Sequence, residues 1–329
     1  GGYEVYKTIQ TTTGQFSIQK LEKVLMHEHI VLGYAGWFYD PRYAEFDHAK
    51  AEEKTLDRLK RLRDYGVNLV VDPCPIELGR NPVFMQEMSV KSGVQIMCST
   101  GFDLEARGYL SAFRTATAEE IRDIYLYEIE NGIGPERIKP GIIKVATGYG
   151  QITDYEDRCI HAACMASIQS GLPIITHTEK GTMGPEQARA FKRYGVAADR
   201  CLIGHCCANP DLRYQKSILD EGVYVGFDRF GNEWHGDDYF RMATLTALIH
   251  MGYSDHLFIG TDSVAFLLKE LPGNRNFEHW DPVRLFDTII PELEKRGATK
   301  QDIRNLVTEN AKRFFTGNTS LGPQKQSKQ

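Results

Sequence analysis

Val67-Asn-Leu-Val-Val71 and Val94-Gln-Ile-Met97 carry apolar side chains on both alternating faces of a strand. A strand with one wet face would alternate strictly, so these two fit a parallel sheet covered on both sides. Six more strand-like runs lie near residues 23–27, 141–146, 173–177, 201–205, 223–227 and 257–261. Amphipathic stretches of helical period separate them: Ala51–Tyr65, Ala118–Ile133, Tyr155–Ser170, Pro185–Tyr194 and Asp211–Glu221. Arg284–Arg296 and Lys300–Phe315 follow the last strand. This alternation predicts an α/β fold, a (β/α)8 TIM barrel in a single domain over residues 1–316. A doubly wound open sheet is the alternative and would bind ligands at one switch point. The polar stretch Gly317–Gln329 lacks aromatic anchors and is expected to be a disordered tail.

The strands end on unusual residues. His27 and His29 follow Val24-Leu-Met26, and Lys144 follows Gly141-Ile-Ile143. His177 follows Pro173-Ile-Ile-Thr176, His205 follows Cys201-Leu-Ile-Gly204, and Asp262 follows Leu257-Phe-Ile-Gly-Thr261. Core packing gives no reason to end five hydrophobic strands on metal-binding side chains. Only a closed barrel brings five strand ends to one mouth, which favours it over the open sheet.

Composition narrows the function by exclusion. A net charge of −5 without a basic stripe argues against a nucleic-acid partner. No run approaches the roughly 18 consecutive apolar residues of a membrane helix. The seven cysteines are odd in number and scattered through apolar segments, which suits a reducing compartment, so a cytoplasmic location is expected. Gly1-Gly2 reads as a trimmed end, which leaves a removed leader open. Cys206 and Cys207, beside His205, read as packing residues rather than soft-metal ligands.

Alternate residues of a strand share a face, so His27 and His29 are expected to project together and grip one cation. Lys144, set between Ile142-Ile143 and Val145-Ala146, would be a buried, unpaired ammonium. Its amine either snorkels to the rim or pairs with a carboxylate, or is carboxylated by CO₂ to a carbamate anion able to bridge two metals, the favoured reading. His177 and His205 would hold the second ion and Asp262 the first. Two divalent ions can share a hydroxide, lower its pKa and polarise a scissile oxygen, with Asp262 accepting the proton. No Gly-x-Ser-x-Gly elbow offers a rival nucleophile.

Met26-His-Glu-His29, Ile143-Lys-Val-Ala146, Ile175-Thr-His-Thr178, Ile203-Gly-His-Cys206, Gly226-Phe-Asp-Arg-Phe-Gly231 and Glu309-Asn-Ala-Lys-Arg-Phe-Phe315 occur in that order. Together they resemble the phosphotriesterase family of the amidohydrolase superfamily, closest to its lactonase branch, from about Thr8 to Phe315. The resemblance implies a TIM barrel whose two metals are bridged by a carboxylated lysine and a hydroxide. It places His27, His29 and Asp262 on the buried metal, His177 and His205 on the outer one, and Lys144 at the bridge. Zinc is the first expectation, with cobalt, manganese or iron as alternatives. The resemblance further implies a small-molecule ester or lactone substrate, slow cleavage of organophosphate triesters and a homodimer. Arg229 falls where the lactonases carry a rim arginine, and an ion pair with Asp228 is its bland alternative.

Two departures from the branch pattern bear on the substrate. After the third strand, Thr100-Gly-Phe-Asp-Leu-Glu-Ala-Arg107 replaces a Tyr-containing stretch, so Asp103 and Glu105 are expected to make an acidic pocket wall. The last strand ends Gly260-Thr-Asp-Ser263 rather than Ser-His-Asp. Both suggest that the natural substrate is not the branch's commonest one. Trp234 and His235 are candidate substrate contacts on the seventh loop, and the eighth loop, 263–281, is expected to shape access. The aromatics Tyr34, Trp37, Phe38, Tyr39 and Tyr43 either pack on the rim or line the pocket. His48, His161, His250, His256 and His279 are read as structural. Two readings compete with an esterase or lactonase: an amide or N-acyl hydrolase on the same metals, and a binding protein that lost catalysis.

Overall fold

Leu69 and Val71 pack in one cluster with Val24, Met26, Met97, Ile142, Ile175, Leu202, Tyr224 and Phe258. Their strand neighbours Val70, Ile96, Ile143 and Val145 pack in a second cluster with the helices. Two separate apolar layers on opposite faces of the same strands are what a closed (β/α)8 barrel requires, an inner core and a strand–helix layer. The computed structural model describes residues 6–43, 45–108, 110–269 and 279–317. The expected tail beyond Gly317, and the middle of the eighth loop, lie outside the described residues.

A hairpin comes first, β1 (Thr8–Thr11) and β2 (Gly14–Ser17), then β3 (Lys23–Leu25) and β4 (His29–Leu32). Helix α1 (His48–Asp64) leads to β5 (Val67–Val71), and α2 (Pro82–Ser92) leads to β6 (Gln95–Met97) and β7 (Ser99–Thr100). Short α3 (Glu105–Gly108) and α4 (Ala118–Asn131) precede β8 (Ile142–Ala146). Then come α5 (Asp154–Ser170), β9 (Ile174–His177), α6 (Gly184–Arg193), β10 (Cys201–Ile203), α7 (Leu212–Leu219) and β11 (Tyr224–Phe227). Helix α8 (Asp238–His250), β12 (Leu257–Ile259) and β13 (Val264–Leu267) complete the strands. Sequence reading places all eight barrel strands but misses α2, α8, the hairpin, and the π turns over Leu285–Ile289 and Asn305–Glu309 inside the closing helices.

All barrel pairings are parallel, in the order β3-β5-β6 and then β7-β8-β9-β10-β11-β12. The third strand is split at Cys98, β6 pairing with β5 and β7 with β8. The seam between first and last strands closes at the mouth. There β4 pairs with β13, Asp262 N donates to His27 O at 3.1 Å, and His29 N donates to Ser263 O at 2.9 Å. Ile9 and Ile18 of the N-terminal segment and Phe314 and Phe315 of the last helix join the inner cluster. They plug the barrel end away from the site.

Candidate active site

Lys144 follows Ile142 on the inward row of β8, and His177 follows Ile175 on β9. Alternation alone therefore delivers both to the interior at the carboxyl ends of the strands. Gly101 is where the split third strand passes β8, with a φ of +119°. A Cβ there would lie 2.1 Å from the Lys144 carbonyl oxygen, so no other residue fits.

His27 and His29 arrive differently from expectation. Val24 and Met26 face inward, so an unbroken strand would turn both imidazoles out toward the helices. Instead strand pairing lapses over Met26–Glu28 and resumes at His29, and that slip turns both rings into the mouth. His205 and Asp262 need a further device, a left-handed backbone with φ of 59° and 52°. Such a conformation is uncommon for non-glycine residues and persists only when its surroundings hold it. Asp228 holds the His205 amide at 2.9 Å, and the His27 carbonyl holds that of Asp262.

These devices gather His27, His29, Lys144, His177, His205 and Asp262 around one cavity, with Arg229, Trp234 and His235 on its walls. Asp262 is the hub. One carboxylate oxygen lies 3.0 Å from His29 Nε2 and 3.5 Å from His27 Nε2. The other accepts from Arg229 Nε at 3.1 Å and lies 3.7 Å from His205 Nε2. Lys144 Nζ stands 3.1 Å from His27 Nε2. His177 meets His205 edge to face, ring centroids 4.7 Å apart, and its Nε2 is 3.1 Å from Glu179.

Two acids behind the imidazoles, which sequence reading does not assign, set their orientation. Asp72, just past β5, lies 2.8 Å from His29 Nδ1 and also accepts from Ile30 N. Asp228, just past β11, lies 2.7 Å from His205 Nδ1. With each Nδ1–H given to a buried carboxylate, each Nε2 presents its lone pair to the cavity, the usual arrangement behind metal-binding imidazoles. Glu28 ties the seam from behind, accepting from Thr261 N at 2.7 Å. The available signal is the one that found the histidines, a polar residue where an apolar strand runs out. At an acid that signal looks like an ordinary surface turn.

Charge in the site suits a cation. Burial, then Lys144, pushes the His27 pKa down to about 4. Burial, then Arg107 for His177 and Arg229 for His205, holds both rings well below the ordinary imidazole value. Burial also opposes charge on His29, but Asp72 and Asp262 outweigh it and lift that pKa to about 9. A proton between two carboxylates here fills the place of a stronger positive charge. Burial pushes Lys144 down to about 8. The ligand atoms of His27, His29 and Asp262 lie within 4.8 Å of one another, and His27 Nδ1 stands 3.4 Å from Asp228 on the side away from Lys144 and Asp262. The neutral rings of His27, His177 and His205, a His29 whose proton sits where a cation would be favoured, and the Asp262 carboxylate form a donor set that fits a divalent metal.

Two expectations change. Asp103 makes no acidic wall: it is buried behind Arg107, which takes both its oxygens at 2.6 and 2.8 Å and itself lines the cavity. Glu105 does not line the cavity either. Arg229 lines the cavity and pairs with Asp262, not with Asp228 as its alternative reading had it. Of the first-loop aromatics only Tyr34 reaches the cavity, while Phe38 and Tyr39 are exposed. Cys206 and Cys207 are buried, Cys206 with its thiol on the Ile203 carbonyl. Four of the five histidines read as structural lie away from the site, His48 on Glu87, His161 stacked on Tyr194, His250 on the Arg296 carbonyl and His256 on Asp255; the fifth, His279, adjoins the cavity-lining Trp280 without lining the cavity itself.

The phosphotriesterase family model matches residues 7–315. The chain belongs to the phosphotriesterase family. An organophosphorus hydrolase from Deinococcus radiodurans superposes with a TM-score of 0.91 at 34% identity, covering 96% of this chain and 99% of that one. The aryldialkylphosphatase of Saccharolobus solfataricus is 29% identical over 89% of this chain and 94% of its own length. A phospho-furanose lactonase of Mycoplasmopsis synoviae is 28% identical over 98% and 96%. As a phosphotriesterase-family member with this donor set, the chain is a metal-dependent hydrolase. No helix among the described residues is long and apolar enough to cross a membrane.

Proposed function

We propose that the protein is a binuclear-metal hydrolase that opens lactones or cleaves activated esters, with promiscuous hydrolysis of organophosphate triesters. His27, His29 and Asp262 would hold one ion, His177 and His205 the other, and carboxylated Lys144 would bridge them. One observation carries the reading: four imidazoles, a lysine and a carboxylate from five strand ends meet at one mouth, two of the rings pinned by Asp72 and Asp228. Divalent ions held there, zinc first among them, supply a water nucleophile at neutral pH and polarise the scissile oxygen.

The chain's own groups do the rest. With a pKa near 8, Lys144 has a neutral amine to attack CO₂, forming a carbamate and releasing a proton. His205 and His29 hold the Asp262 carboxylate well below its usual pKa against the effect of burial, so it stays ionised and can take a proton from the attacking water. Asp72 and Asp228 fix the His29 and His205 rings so that neither must reorient during reaction. Leu32, Leu78, Val264 and Leu267 give the cavity an apolar wall that strips water from the ester.

The test is metal content per chain on purified protein, with a pH-indicator screen of lactones, paraoxon-type triesters and N-acyl amides. Two ions per chain with lactone or ester turnover are expected. Turnover of amides alone would move the reaction class, and absence of metal together with absence of turnover would end the proposal.

A further inference from the structure

Resting on that reading, we propose that the substrate carries an acidic group, a carboxylate or a phosphomonoester, which Arg107 and Arg229 hold against the cavity wall.

Asp262 is the sole carboxylate among the described residues that line the cavity, and it belongs to the metal cluster. The cations lining it are Arg107, Arg229 and Lys144, and carboxylation makes the last an anion. Each guanidinium is tied to a carboxylate through only part of its fork, Arg107 to Asp103 through Nε and Nη2 and Arg229 to Asp262 through Nε, and the rest of each fork is open to the cavity they line. Arg229 is buried, and its Nη1 has no hydrogen-bond partner. A buried donor left unmade is costly, and a charged one more so; an anionic oxygen is the natural complement.

Arg107 is held ready. Asp103 takes its Nε and Nη2, and its Cζ stands 5.6 Å from the centre of the Tyr34 ring. The side chain therefore keeps one pose without substrate, and little rotamer freedom remains to be lost on binding. Behind the pair, Glu77 accepts from the Asp103 amide at 2.6 Å, and burial followed by Asp103 lifts its pKa to about 8. Glu77 therefore adds no second full negative charge to cancel Arg107. A neutral acyl lactone or triester would leave both guanidinium groups facing an uncharged tail. An acidic substituent satisfies them and sets which way round the ring lies.

The experiment compares kcat/KM of the metal-loaded enzyme on γ-valerolactone, the same ring bearing a carboxylate, and a lactone bearing a phosphomonoester. At least one acidic lactone is expected to exceed the neutral one, and Arg107→Met is expected to cut that ratio about tenfold or more, the scale of one charge-assisted hydrogen bond. Arg107→Lys keeps the charge without the fork and should restore part of the ratio. A wild-type ratio at or below one, or a ratio that Arg107→Met leaves unmoved, would overturn the proposal. Calorimetric binding of 5-oxoproline against 2-pyrrolidinone to the metal-loaded wild type reads the same wall without turnover. Tighter 5-oxoproline supports the acid site even if no ester is hydrolysed or the variant does not fold. Equal binding there rejects it.

Discussion

Asp228 holds His205 twice, accepting from its backbone amide at 2.9 Å and standing 2.7 Å from its ring Nδ1. One carboxylate thus fixes both the left-handed backbone and the tautomer of a metal-binding candidate. Asp72 does only the second job for His29, whose amide goes to Ser263.

Asp228→Asn should therefore act on the metal site rather than on the fold. Apparent affinity for the more weakly held ion is expected to fall about 10–100-fold, as when such orienting partners are removed elsewhere. Competition against a chromophoric chelator measures it. An unchanged affinity with unchanged circular dichroism would remove Asp228 from the site's support.

Lys144 makes a pH prediction. Its pKa of about 8 lies below the ordinary lysine value, so the neutral amine appears at lower pH than usual. Roughly a tenth of it is neutral at pH 7 and half at pH 8. Metal uptake by apo-protein in bicarbonate should speed up across that window, and stay slow in CO₂-depleted buffer at every pH. Lys144→Ala should lose most metal and activity, and uptake indifferent to bicarbonate would speak against a carbamate.

Asp103→Ala removes the acceptor that pins Arg107. A stability loss of about 1–3 kcal/mol is expected by urea titration, the lower end reflecting Arg107's partial exposure. Metal content should be retained and substrate preference altered. Burial raises the Asp103 pKa but Arg107 outweighs it, so the net shift is downward. The pair's contribution is thus fully present above the ordinary carboxylate value and lost as the pH falls below it, through the lowered folded-state pKa. The variant should show a flatter acid limb of stability against pH than the wild type.

Gly101→Ala tests the close approach of the split strand to β8. A Cβ 2.1 Å from the Lys144 carbonyl, at a φ of +119°, forces β8 to move. Loss of both metal and thermal stability is expected, by several degrees or more. A variant as stable and as metal-replete as wild type would show that the two strands give way freely.

The barrel and the six central side chains are legible in sequence because strands apolar on both faces have few other uses. Lys144 and His177 also obey plain alternation. His27, His29 and His205 do not: their placement depends on a lapse in pairing and a left-handed residue, which no periodicity announces. Asp103 misleads because acidity in a sequence says nothing about whether an arginine four residues on will cover it. Asp72 and Asp228 hide because an acid after a strand also begins ordinary turns. Helix α2 is missed because it buries residues on several sides, Phe84, Met85, Met88 and Ser89 among them, and so carries little amphipathic contrast.

The seam joins Glu28 to Thr261, hydrogen-bonded although 233 positions apart. During synthesis the ribosome releases His27 and His29 long before the strand that carries Asp262, so the three cannot meet until the final strand has docked. Closing so long a loop is slow and comes late, because little local structure rewards it beforehand. This candidate ligand set is therefore a product of completed folding rather than a claw that the young chain can present. A protein truncated before its last strand would keep most of the histidines and still lack the geometry to use them.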